Sequence, residues 1–104
     1  LHVDDLAKAA CFAMENYEDA APLNVGVGED LSIAELAGIV ARVVGYSGAV
    51  RFDPSMPDGT PRKLLDVSRI QALGWRAAIG LEEGIASTYK WYRANVVQSG
   101  AAVK

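Results

Sequence analysis

The stretch Asp53-Pro-Ser-Met-Pro-Asp-Gly-Thr-Pro-Arg-Lys-Leu-Leu-Asp66 decides how the rest of the sequence is read. It holds three of the chain's four prolines, a glycine and the adjacent pair Arg62 and Lys63. Proline removes a backbone donor and fixes φ, so the stretch predicts an extended loop presenting polar groups, not a helix or a central strand. Pro57-Asp58-Gly59 predicts a turn, with Gly59 free to take positive φ. Pro61 biases Thr60 toward extended backbone, so Arg62 and Lys63 leave a stiffened segment with little entropy left to lose. A carboxylate and two cations on such a loop suit a sugar hydroxyl and a phosphate: Asp58 accepts, Arg62 offers a planar fork, and Lys63 offers a point charge. The competing reading, solvated surface charge, stays open for Arg62 and Lys63 at this point.

Outward from the loop, Phe52 on one side and Leu64, Leu65 and Trp75 on the other are the predicted anchors, with Trp75 in the core. Gly48 to Phe52 predicts a strand entering the loop. On the far side Asp66 is placed to cap a short helix over Val67 to Leu73, stopped by Gly74. Upstream, Ser32-Ile-Ala-Glu35 is a capping box opening a helix with the stripe Ile33, Leu36, Ile39, Val40, Val43, Val44, ended by Gly45. Leu23, Val25 and Val27 alternate with Asn24 and Gly26 as a second short strand. Gly26-Val-Gly28 is not a dinucleotide loop, because the third glycine of G-x-G-x-x-G falls at Leu31. His2 to Asn16 predicts the first helix, capped by Asp4 or Asp5, with Leu6, Ala10, Ala13 and Tyr17 inward and Cys11 and His2 structural. Leu81 to Asn95 predicts the last, with Leu81, Ile85, Tyr89 and Tyr92 on one face and Glu82-Glu83 in its first turn. The expected fold class is α/β: three main helices, one short helix and two short strands.

Composition narrows the partners. The formal net charge of -3 argues against nucleic acid, which needs a basic face. The longest unbroken apolar run, Ala9 to Met14, falls far short of the roughly 20 residues of a membrane-spanning helix. The single cysteine, Cys11, has no internal disulfide partner and fits a cytoplasmic setting. No metal-ligand set is spelled out. The chain does not begin with Met and enters its first helix almost at once, so a segment of a longer protein is expected.

The run from Asp53 through Asp66-Val-Ser-Arg69 to Leu73-Gly-Trp75 closely resembles the C-terminal part of the GDP-L-fucose synthases, which are extended short-chain dehydrogenase/reductases. Asp66-Val-Ser-Arg69 and Leu73-Gly-Trp75 resemble many nucleotide-sugar epimerases and dehydratases. Pro57-Asp-Gly-Thr-Pro-Arg-Lys63 resembles the fucose synthase branch. Leu1-His-Val-Asp-Asp5, Asn24-Val-Gly-Val-Gly28 and Tyr89-Lys-Trp-Tyr92 extend the likeness to about Asn95.

This resemblance implies residues 29–95 as the substrate-binding part and 1–28 as a segment packing on a Rossmann domain outside this sequence, while residues 96–104, rich in Gly, Ala and Ser and without the helical pattern, are expected to be a frayed tail. It implies NADPH on that other domain, GDP-4-keto-6-deoxy-mannose as substrate, a homodimer for the intact protein, and Asp58, Arg62 and Lys63 as substrate contacts. The superfamily's Tyr with Lys four residues on is not found here: Ala21, Val50, Arg93 and Val96 follow Tyr17, Tyr46, Tyr89 and Tyr92 at that distance. No catalytic residue is therefore assigned, and the segment alone is expected to be inactive. Three other readings remain: another NAD(P)-dependent nucleotide-sugar epimerase or dehydratase, a non-catalytic sugar-nucleotide-binding module, and a small structural or interaction domain.

Overall fold

A computed structural model describes residues 1–98. Four α-helices follow in order: α1 Val3–Asn16, α2 Ile33–Val44, α3 Ser68–Leu73 and α4 Leu81–Tyr92, which runs on into a π-helical stretch Arg93–Val97. The chain separates into two compact units. Leu1–Asp30 and Pro54–Gly80 form the first, and Leu31–Asp53 with the chain from Leu81 forms the second. Both units are built from stretches distant in sequence. The three main helices and the short one are present. Among the described residues there is no strand, which corrects the two predicted at Leu23 to Val27 and Gly48 to Phe52. A strand exists only through its ladder, and neither stretch has one to join.

In the first unit the core is Ala9, Val67, Ile70 and Trp75, with Phe12, Leu23, Val25 and Ala77 packed against it. Leu23 and Val25 thus face inward as their alternation predicts. Of the predicted inward face of α1, Ala13 and Tyr17 are half-buried but Leu6 and Ala10 are exposed. Asp5 and Ala9 are buried and Phe12 packs on the core, while Leu6 is 49% exposed. Ala9 is small enough to sit at 0% exposure in this core, and Asp5 is admitted because it is hydrogen-bonded. The cap differs too. His2 Nδ1, not Asp4 or Asp5, accepts from the Asp4 N–H at 3.1 Å. Cys11, expected to pack, is exposed. Ile70, fully buried, contributes about 1.5–3 kcal/mol through the apolar surface it removes from water.

α3 begins at Ser68 and ends where Gly74 takes φ 112°. The Trp75 N–H returns to the Ile70 carbonyl at 3.2 Å, which turns the indole into the core. The N-cap residue is Val67, which makes no side-chain capping bond, so Asp66 lies one position outside the cap predicted for it; its Oδ1 accepts from the Ser68 N–H at 2.9 Å.

In the second unit α2 packs on α4. The capping box is complete: Ser32 Oγ accepts from the Glu35 N–H at 3.1 Å and Glu35 Oε2 from the Ser32 N–H at 2.7 Å. Gly45 stops the helix at φ 76°. Leu36, Ile39 and Val43 are half-buried, as are Ile85, Tyr89, Tyr92 and Val96, but Ile33, Val40 and Val44 of the predicted α2 stripe and Leu81 of the α4 stripe are exposed. Arg42 and Glu82 tie the two helices with paired bonds of 3.0 and 2.9 Å. Of the stretch expected to fray, Val96 and Val97 continue the helix with π geometry, and residues 99–104 lie outside those described.

Candidate functional site

Every residue from 44 to 66 is exposed. Within that stretch the turn falls at Pro54 and Ser55, not at Pro57-Asp58-Gly59. Gly59 is not among the glycines with positive φ, and a Cβ added there would meet open space. Asp53 followed by Pro54 is itself a type I turn signal, and it wins over the second proline three residues on. Of the predicted anchors only Trp75 is buried. Phe52, Leu64 and Leu65 are 62%, 42% and 49% exposed.

What fastens the loop instead is the segment 24–30 of the same unit. Asn24 Nδ2 donates to the Asp66 carbonyl at 3.3 Å. Gly26 and Gly28 let that segment lie close against Val67. A Cβ on Gly28 would stand 3.0 Å from Val67 Cγ2 and 3.6 Å from Gln71 Nε2, and its φ of +86° already favours glycine. At the far end Arg62 donates from Nε and Nη2 to the two oxygens of Asp30, at 2.6 and 3.3 Å. Hydrogen bonding to Asp30, reinforced by its charge, raises the Arg62 pKa further above its usual value. Asp58 and Lys63 are exposed and enter no ion pair among the described residues.

The structure therefore places Asp58, Arg62 and Lys63 on one exposed loop but treats them unequally. Arg62 is held by a carboxylate, whereas Lys63 and Asp58 are left to solvent or a ligand. The Asp66 carboxyl lies below its usual range because it accepts from Ser68. The glycines at 26 and 28 have their open faces filled by Val67 and Gln71, so this turn does not fit a dinucleotide pyrophosphate. Among the described residues no group of His, Cys, Asp and Glu is arranged to hold a metal ion, and no helix is long and apolar enough to cross a membrane.

Sequence reasoning missed three structural contacts. Asp5 is 1% exposed, and its Oδ2 accepts from the backbone N–H groups of Ala78 and Ile79 at 3.0 and 2.8 Å. Arg69 reaches the Tyr17 hydroxyl at 3.1 Å and the Pro22 carbonyl at 3.4 Å, while that hydroxyl donates to the Ala21 carbonyl at 2.6 Å. Asp30 is the partner of Arg62. Each joins residues dozens of positions apart, for which local patterning carries no signal.

In fold and sequence the chain is similar to one part of several GDP-sugar reductases and synthases. The chain superposes on the GDP-mannoheptose C4 reductase of Campylobacter jejuni, solved with NADP bound, with a TM-score of 0.76 and 39% identity, over 89% of this chain and 30% of that one. Among curated proteins the chain is similar to GDP-L-fucose synthases. It is 50% identical over 99 residues to the probable GDP-L-fucose synthase 1 of Oryza sativa subsp. japonica, covering 95% of this chain and 30% of the relative. With the GDP-L-fucose synthase of Escherichia coli K12 it shares 53% over 104 residues, covering 91% and 32%. The chain thus spans about a third of the length of the curated relatives it matches. No family model matches it.

Proposed function

We propose that these residues are the C-terminal, GDP-sugar-binding portion of an NADPH-dependent enzyme that converts GDP-4-keto-6-deoxy-D-mannose to GDP-L-fucose. Such an enzyme epimerises the sugar at C3 and C5 and reduces its C4 ketone. The observation that carries this reading is identity of 50% and above to GDP-L-fucose synthases of a plant and a bacterium across nearly the whole chain. NADPH supplies the hydride, and the filled glycine turn at Gly26 and Gly28 supports the reading that it is bound by residues outside this stretch. The role of the present residues is to bind and orient. Lys63 neutralises diphosphate charge, Asp58 accepts from a hydroxyl, and Arg62 is the third polar group of the set.

The exposed apolar side chains of α1, Val3, Leu6 and Met14, support a second part of the proposal: residues 1–28 pack on the cofactor-binding domain of a longer, homodimeric, cytoplasmic protein. Titration of the complete enzyme with GDP-linked and UDP-linked sugars tests the substrate reading. GDP-sugar should bind at least tenfold more tightly. Lys63→Ala should weaken it by about 1.5–3 kcal/mol, the value of a hydrogen bond to a charged group. Equal affinity for both nucleotides would favour another epimerase or dehydratase of the superfamily, and unchanged affinity in Lys63→Ala would remove the loop from the site.

A further inference from the structure

We propose that Asp30 is a positioning residue for the sugar-nucleotide site, and that Arg62 acts as a strut fastened by Asp30 while Lys63 serves as the cation that meets the diphosphate. The inference rests on the reading of the loop as the GDP-sugar site and goes one residue beyond it. Lys63 and Asp58 sit on an exposed stretch, and Phe52, Leu64 and Leu65 do not bury to hold it. An exposed loop bearing a binding group loses affinity to the entropy of ordering that group unless something orders it beforehand.

The Arg62 side chain supplies that order. Its Nε and Nη2 are both engaged by Asp30, at 2.6 and 3.3 Å, and Asp30 lies in the same unit, 32 residues back along the chain. A planar guanidinium held at two points fixes direction as well as distance. One fork that Arg62 could present to a phosphate is thereby occupied, and its charge already faces a carboxylate. Lys63, the next residue, has no such partner among the described residues. The division of labour follows: one cation of the pair holds the loop and the other is free for the ligand. The tie is partly solvated, with side-chain exposures of 68% for Arg62 and 36% for Asp30, so its effect is modest.

The test is a double-mutant cycle in the complete enzyme, with the dissociation constant of GDP read by calorimetry. Asp30→Ala, Arg62→Ala and the double variant should each raise it by the same factor, about three- to fivefold. Asp30→Glu should restore most of the loss, and steady-state kinetics of Asp30→Ala should show the change in KM with kcat retained. A much larger loss in Arg62→Ala than in Asp30→Ala, with additive effects, would make Arg62 a direct phosphate ligand and overturn the proposal, as would an unchanged constant in Asp30→Ala. Lys63→Ala separates this inference from the reading beneath it. If Lys63→Ala weakens GDP binding and Asp30→Ala does not, only the strut is wrong. If Lys63→Ala leaves binding unchanged, the loop is not the site and both fall.

Discussion

Two loops of the first unit are each tied down by an aspartate, and they differ in where the aspartate sits. Asp5, 1% exposed on α1, accepts two backbone N–H groups at Ala78 and Ile79. Asp30, with a side chain 36% exposed, accepts a guanidinium from the loop around Lys63. The buried tie replaces water on groups that would otherwise be orphaned, so its loss carries a desolvation penalty as well as a lost bond. The exposed tie competes with water and salt at every moment. Buried carboxylates of this kind build a scaffold, whereas solvated ones adjust a loop.

The largest expected effect breaks the comparison on its buried side. Asp5→Ala should destabilise the protein by about 3 kcal/mol, since two hydrogen bonds to a charged acceptor are lost and two N–H groups are left without a partner. Asp5→Asn keeps a carbonyl acceptor and should cost about half as much. Urea unfolding midpoints measure both, and Asp30→Ala should stay within about 1 kcal/mol of the unmodified protein. Equal losses at the two aspartates would show that exposure does not separate them.

Two glycines sharpen the same contrast at smaller magnitude. Gly28 has φ +86° and no room beside Val67, so Gly28→Ala should cost roughly 2 kcal/mol from backbone strain and contact together. Gly59, on the exposed loop, lacks positive φ and has nothing near its absent Cβ. Gly59→Ala should be neutral or stabilise by roughly 0.5 kcal/mol through the unfolded chain. The urea midpoints should therefore move in opposite directions or, at the least, by clearly different amounts.

Where the determinants were local, the sequence was readable. Ser32, Glu35 and Gly45 mark both ends of α2 through bonds spanning a few residues, and Gly74 stops α3 for the same reason. The phase of α1 was not readable, because a periodicity argument sends charged residues outward and cannot see that Ala78 and Ile79 wait for Asp5. The strands failed differently. Leu23 and Val25 do turn to the core, yet alternation specifies only which side faces in and says nothing of a pairing partner. For the candidate site, residue types alone marked the loop and its polar groups, while the ordering of Arg62 by Asp30 depends on proximity across 32 residues. The turn was misplaced because two prolines three positions apart carry nearly the same signal.

The smallest effect concerns acid. Asp66 ends the exposed loop, and its carboxyl is held below the usual aspartate value of 3.8 mainly by the backbone N–H of Ser68. In the second unit Glu82 is held below 4.5 by its bonds to Arg42 and by the charge of that residue. A depressed folded-state pKa means that, between the folded and unfolded values, the unfolded chain binds more protons, so stability rises with pH there. Each contribution is complete above the unfolded value and disappears as pH falls through the folded one. Unfolding midpoints should thus decline below about pH 4.5 as Glu82 and Asp66 become protonated. Both groups are exposed, so salt should shrink the Glu82 part, which is ionic, more than the Asp66 part, which is a short hydrogen bond to backbone. In Asp66→Asn the amide oxygen can still accept from Ser68 but no longer titrates, and the acid slope should flatten while the midpoint at neutral pH moves little. A slope unchanged in that variant would assign the acid sensitivity to other carboxylates.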